Sequence, residues 1–299
     1  MGHAHHQVNS KNLAITVILN IIITVGELIG GILSGSMALI TDAVHNFSDV
    51  LALVISYVAN RLAKKKPTTQ QTYGYRRSEI LAAFVNSVTL IVLAFFILYE
   101  ASSRLFMPRE IKGEIVIYLA GASIILNGLS VLLIRKDAKN SMNMRSAMLH
   151  LFGDMITSIA VLIGGVIINI YSWYAIDTIF SIGIACYLLY MSWSIFKESL
   201  RILMQFTPKH IDVEKISSEI AAIPGINNLH HVHCWQLNDH DYMLEGHVDI
   251  SEDITLSQFE EKLEVVRKIL ASYNITHINI QPEYNVIDNK ALIHPKHEQ

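Results

Sequence analysis

The sequence predicts an α-helical membrane protein in which six transmembrane helices precede a small cytoplasmic α+β domain of metallochaperone-like αββαβ order. Three observations carry this. Of the 299 residues, 52% are hydrophobic and only 16% charged, with a mean hydropathy of +0.37. A soluble domain averages about 25% charged residues. Six apolar segments reach the length of about 20 helical residues that spans the hydrocarbon. After Pro208 the pattern turns mixed and charged, which marks a domain boundary near 205–210.

The apolar segments run 13–33, 37–63, 79–103, 114–134, 147–170 and 173–196. The organisation expected is an N-terminal arm (1–12), a spanning domain (13–205), a cytoplasmic domain (206–285) and a flexible tail (286–299). Orientation follows from basic residues in short connections. Arg61, Lys64, Lys65, Lys66, Arg76 and Arg77 follow the second segment, and Arg135, Lys136, Lys139 and Arg145 the fourth. The opposite side holds only Arg104, Arg109 and Lys112. Both termini are therefore expected in the cytoplasm of a multi-pass protein of the inner (plasma) membrane.

In the last third, 212–222 has helical spacing and stops before Pro224-Gly225. Residues 227–237 and 242–250 read as two strands about the turn residues Asn238 to Asp241. An amphipathic stretch follows over 255–272, then alternation over 276–284. A net charge of −3 excludes a globally basic nucleic-acid binder, and no nucleic-acid partner is expected. Cys186 and Cys234 form no spaced pair, so no disulfide framework or CxxC zinc knuckle is indicated. The N-terminus lacks the layout of a cleaved signal peptide.

Ionisable residues inside spanning helices cost about 2.5–3.5 kcal/mol each on insertion scales, so each asks for a reason. The second segment contains HNFSD (His45, Asp49) and the fifth HLFGD (His150, Asp154). A spacing of four puts imidazole and carboxylate on one helix face. Two such faces together offer two nitrogens and two oxygens, a set that suits tetrahedral Zn²⁺ and lacks the thiolates softer ions prefer. A single pair would be explained as well by hydrogen-bonded glue between helices; its repetition favours a metal site. Asp42 is placed to orient the His45 imidazole. Glu27, Asn86, Asn127 and Asp177 either line a path or hydrogen-bond between helices, and Gly30, Gly31, Gly35, Gly164 and Gly165 allow close packing.

The stretches SMALITDAVHNFSD, TYGYRRSEILAAFVN, HLFGDMITS and HVHCWQL resemble the signature blocks of the cation diffusion facilitator family, in the same order. The resemblance covers about 11–285 and is nearest to bacterial zinc, cadmium and cobalt efflux members. It implies a homodimer, not an enzyme, that exchanges a cytoplasmic divalent cation for protons at His45, Asp49, His150 and Asp154. His with Asp in both halves is similar to the zinc-selective pattern; manganese and iron members tend to carry Asp or Asn instead. Exchange also follows from the residues. Imidazole titrates near pH 6.5 and binds metal only when deprotonated, so metal and protons compete within the physiological range.

The resemblance further implies a regulatory zinc site at His230, His247 and Glu283. Gln281 stands where some relatives have histidine, which puts a binuclear version in doubt. Strict alternation along 230–235 pairs His230 with Cys234 on one face, and His231 with His233 on the other. His277 reads as structural, and Cys234 equally as a buried residue or a ligand. The basic loop KKKPTTQQTYGYRR has no Asp or His, so no metal is expected there; anionic membrane lipid is a possible contact. Gln205 stands where relatives place an acid opposite the Arg77 position, so that charge interlock is expected to be absent. His3, His5 and His6 suggest either a weak zinc-capturing arm or an incidental polar tail. Three alternatives stay open: another ion (Cd²⁺, Co²⁺, Ni²⁺, Mn²⁺ or Fe²⁺) on the same scaffold, an intramembrane metalloenzyme, for which no HExxH is present, and a membrane-anchored metal sensor.

Overall fold

The fold is that of a computed structural model that describes residues 10–107, 109–138, 142–238 and 241–293. His3, His5 and His6 lie outside the described residues, as do Lys139 and the turn residues Asp239 and His240. Six long helices come first: α1 (Ser10–Ser34), α2 (Met37–Ala63), α3 (Ser78–Phe106), α4 (Gly113–Ala138), α5 (Met142–Tyr171) and α6 (Ala175–Leu203). Each is long and apolar enough to cross a membrane. The chain divides into two compact units, Met1–Tyr57 with Val85–Phe196 and Val58–Phe84 with Lys197–Gln299.

In the first unit, α1 and α5 both pack against α4. Small residues make that closeness possible. A Cβ on Gly30 would stand 1.7 Å from Leu119 Cδ1, and one on Gly31 2.6 Å from Ile40 Cγ1. Leu39, Val116, Val161 and Ile168 fill the interior, while Ile18, Ile22, Phe96 and Leu132 face outward, as lipid-facing helices require.

The α1–α2 corner explains Asp177. Gly35 takes φ +76°, which ends α1 at little steric cost. Ser36 then caps α2, its Oγ accepting from Leu39 N–H (3.2 Å) and donating to Asp177 Oδ1. Asp177 Oδ2 accepts from the free N–H groups of Met37 (2.7 Å) and Ala38 (3.3 Å). The first turn of α6 thus supplies a buried anion to the positive end of α2. Asp177 clamps the start of α2.

The second unit contains α7 (Val213–Ala221), β1 (Ile226–Gln236), β2 (Tyr242–Ile250), α8 (Leu256–Ser272) and β3 (Ile275–Glu283). Asp212 caps α7, and a capping box of Thr255 and Gln258 starts α8. The sheet order is β1-β2-β3, the first pair antiparallel and the second parallel. Ile216 and Ile220 of α7 and Leu270 of α8 join Leu244 and Val248 in one core. Both helices cover one sheet face, leaving the other to polar side chains. Arg76, rather than Arg77, makes an ion pair, with Asp241 at 2.9 Å. His277 meets the ring of Tyr73 edge-on at 6.2 Å, a packing role.

One expectation is corrected. Strict alternation along β1 fails because a bulge falls between His230 and His233, with His231 at φ +52°. Leu229, Val232 and Cys234 all enter the core, whereas His230 lies opposite His247 on the polar face. Cys234 is thus a core residue, and burial pushes its thiol up to about 11. Within residues 286–299, expected as a flexible tail, Ala291 and Leu292 bond the free edge of β1. His231 N–H donates to Ala291 O (3.1 Å) and Val232 N–H to Leu292 O (2.8 Å). An edge strand has unpaired backbone groups, and this segment satisfies two of them.

Asp177→Ala leaves the first N–H groups of α2 unpaired in an apolar interior. The expected loss is about 1–3 kcal/mol, read as a lower Tm of the purified protein in detergent. An unchanged Tm would show that the clamp contributes nothing.

Candidate metal centre

The four intramembrane residues come together. His45 and Asp49 occupy one face of α2, His150 and Asp154 one face of α5. Across the helices, His150 Nε2 lies 3.2 Å from Asp49 Oδ2, and His45 Nε2 lies 3.7 Å from Asp154 Oδ1. Within each helix the imidazole approaches its own carboxylate at 3.6 Å. The two rings stand 6.0 Å apart. His45 Nδ1, Asp49 Oδ2 and Asp154 Oδ2 are buried yet have no hydrogen-bond partner. Buried polar atoms are normally paired, so three converging orphans form a donor set that could hold a cation. A cavity reaches the cluster, lined by His45, Asp49, Asn86, His150, Asp154 and Thr157 among others.

A polar network backs the cluster. The Asp42 carboxylate accepts from Thr157 Oγ1 (2.9 Å) and Ser158 Oγ (3.3 Å), joining α2 to α5 rather than orienting the His45 ring. Both hydroxyls also lie within 2.9 Å of the Asp154 carbonyl oxygen. Ser123 of α4 meets Ser158 at 2.8 Å and is reached by Asn127 at 3.4 Å. Glu27 of α1 accepts from Asn46 at 3.0 Å. These groups fix the backbone that carries the cluster, so Glu27 joins α1 to α2 and Asn127 bonds Ser123 within α4, while Asn86 lines the cavity.

A second cluster lies on the polar face of the α+β domain. His230, His247, Glu283 and Asp288 each offer an atom within 4.8 Å of the others. His230 Nε2 is 3.1 Å from Glu283 Oε2 and 3.5 Å from Asp288 Oδ2. His247 Nδ1 is 2.7 Å from Glu283 Oε1, but off the line of a hydrogen bond, and has no hydrogen-bond partner. The His230 tautomer follows from its neighbours. Asn228 Nδ2 donates to Asp249 Oδ2 (3.1 Å), which turns Asn228 Oδ1 toward His230 Nδ1 at 2.8 Å. Nδ1 therefore donates to Asn228, and Nε2 faces the cluster, within hydrogen-bond distance of Glu283 Oε2. Two imidazoles and two carboxylates fit a zinc ion.

Asp288 and Lys290 are the residues that sequence reasoning missed, because they sit in a stretch without periodicity. Their alternating charges were the only signal. The Lys290 hydrogen bond holds the Asp288 carboxyl below the usual carboxylate range. Burial opposes the Lys290 charge, but the carboxylates of Asp249, Asp288 and Glu283 outweigh it and raise its pKa.

Comparison with known proteins agrees with this architecture. Residues 13–204 match the family model described as cation efflux transmembrane domain, and 208–285 the one described as cation efflux protein, cytoplasmic domain. Zinc transporter ZitB of Pectobacterium atrosepticum is 36% identical over 97% of this chain and 91% of its own. A cadmium, cobalt and zinc/H(+)-K(+) antiporter of Bacillus subtilis is 34% identical over 100% and 98% of the two chains. Metal cation efflux system protein CzcD of Cupriavidus metallidurans is 32% identical over 94% and 90%. With both halves matched and relatives aligned over nearly their full length, the chain belongs to the cation diffusion facilitator family of multi-pass, divalent-cation efflux transporters.

Proposed function

We propose that this transporter exports Zn²⁺ from the cytoplasm in exchange for protons, carrying the ion between α2 and α5 on His45, Asp49, His150 and Asp154. The observation that carries the reading is the crossed pairing of the two helices, each imidazole close to the other helix's carboxylate. Two neutral imidazoles and two carboxylates compensate a divalent charge and supply four N/O donors, the number zinc takes. When the ion leaves, the same groups take up protons, because imidazole titrates near pH 6.5. Proton and metal thus compete for one set of lone pairs, and a proton gradient drives the metal. Alternating access about a site deep in the spans supplies the path.

The remaining parts follow from the same reading. The spanning domain is 13–205 and the cytoplasmic domain 206–285, with both termini in the cytoplasm on the side of the basic loops. The protein works as a homodimer, and anionic lipid meets the basic loop after α2. Zinc bound at His230, His247 and Glu283 favours the active dimer. Cadmium and cobalt are the competing ions, since the name of one relative includes both with zinc and a proton.

Asp154→Ala removes one ligand and leaves His45 without its cross-helix partner. In proteoliposomes with an acidic lumen, wild type should accumulate zinc and Asp154→Ala should lose about 10²-fold or more in flux. Collapsing the gradient should abolish wild-type accumulation, and lowering pH through the imidazole range should weaken zinc affinity. Transport indifferent to both the gradient and Asp154 would exclude the proposal. Separately, Glu283→Ala should lower bound zinc by about one ion per chain in equilibrium dialysis, with Asp154-dependent flux reduced but not abolished. Unchanged zinc content would remove the cytoplasmic site from the account.

A further inference from the structure

The cytoplasmic cluster already contains a cation. Lys290 Nζ lies 2.9 Å from Glu283 Oε2, 2.5 Å from Asp288 Oδ1, 2.8 Å from Asp249 Oδ1 and 3.5 Å from His230 Nε2. It engages three of the four side chains that would hold a metal, including His230 at Nε2. The ammonium is delivered by a segment whose next two carbonyls, Ala291 O and Leu292 O, bond the edge of β1 at the bulge. His230 is fully buried beneath this arrangement, although the sheet face that bears it is otherwise polar and open.

We infer that Asp288 and Lys290 belong to the cytoplasmic metal site, Asp288 as its fourth ligand and Lys290 as a tethered cation that a divalent ion must displace, so that metal entry holds residue 288 at the site and loosens residues 290–292 from the edge of β1. The inference rests on the reading of His230, His247 and Glu283 as metal ligands. Its physics is charge exclusion and shared acceptors. A divalent ion on Glu283 Oε2 and His230 Nε2 takes the lone pairs that Lys290 uses, and two like charges cannot share that space. A tethered competitor also acts at high effective concentration, so it lowers apparent metal affinity without touching the ligands. Once Lys290 leaves, the backbone bonds to His231 and Val232 and the packing of Leu292 on the core are left to hold residues 290–292, and weakly held edge pairs open first. The site thereby fills only above a threshold of free metal, and filling it exposes a strand edge and a lysine.

The test is hydrogen exchange with zinc titration on the full-length protein in detergent, carrying Asp154→Ala so that transport-site binding does not intrude. Zinc is expected to speed exchange of the His231 and Val232 amides, whose partners are Ala291 O and Leu292 O, by about tenfold or more. Lys290→Met should tighten apparent zinc affinity about tenfold, whereas Lys290→Arg should stay near wild type. Zinc that binds with amide protection unchanged, or with equal affinity in Lys290→Met, overturns the inference and leaves the metal site standing. Zinc binding that ignores His230→Ala removes the site itself, and the inference with it. The exchange arm needs no Lys290 variant, so it decides the matter even if Lys290→Met fails to fold.

Discussion

Placing His45, Asp49, His150 and Asp154 among apolar helices is the constraint on which the rest of the spanning unit depends. Each such group costs about 2.5–3.5 kcal/mol on insertion scales, and one helix alone can offset only part of that. The offset comes from crossing: α2 offers its carboxylate to the imidazole of α5, and α5 offers its own in return. The pairing works only if the two helices hold a fixed register and depth. A displacement of about one residue, 1.5 Å along the axis, would break both contacts together.

Several features maintain that register. Asp42 of α2 is hydrogen-bonded to Thr157 and Ser158 of α5, one turn beyond Asp154. Ser123 of α4 holds Ser158 in turn, so the backbone behind the site is tied on its buried side. The start of α2 is set by Ser36 and Asp177, which fixes where His45 falls along the helix. Glycines at 30 and 31 bring α1 close enough for Glu27 to reach Asn46, a direct neighbour of His45. His45, Asp49 and Asp154 are left incompletely paired within this tight frame, which suits them to the proposed exchange of partners.

Much of this was legible in the residues. Six spans follow from apolar runs whose lengths match the helices within a few residues, and αββαβ order follows from period switching. The crossed site follows from one pattern, His-x-x-x-Asp, occurring twice. What stayed hidden depends on backbone detail or on contacts distant in sequence. Asp177 looks like any intramembrane carboxylate until the N–H groups of Met37 and Ala38 are seen to face it. The bulge at His231 reverses the alternation that would have paired His230 with Cys234, and no local signal in His230-His231-Val232-His233 announces it. Lys290 carries no periodicity, and its meaning depends on Glu283, Asp249 and His230 being brought together by the sheet.

The central claim is that one zinc ion sits between α2 and α5 on two imidazoles and two carboxylates. X-ray absorption at the zinc edge, on Glu283→Ala protein loaded with one equivalent, examines that shell directly. The account predicts four N/O neighbours at about 2.0–2.1 Å, an imidazole scattering signature that halves in His150→Ala, and no sulfur shell. A spectrum with sulfur, or one insensitive to His150→Ala, would contradict it.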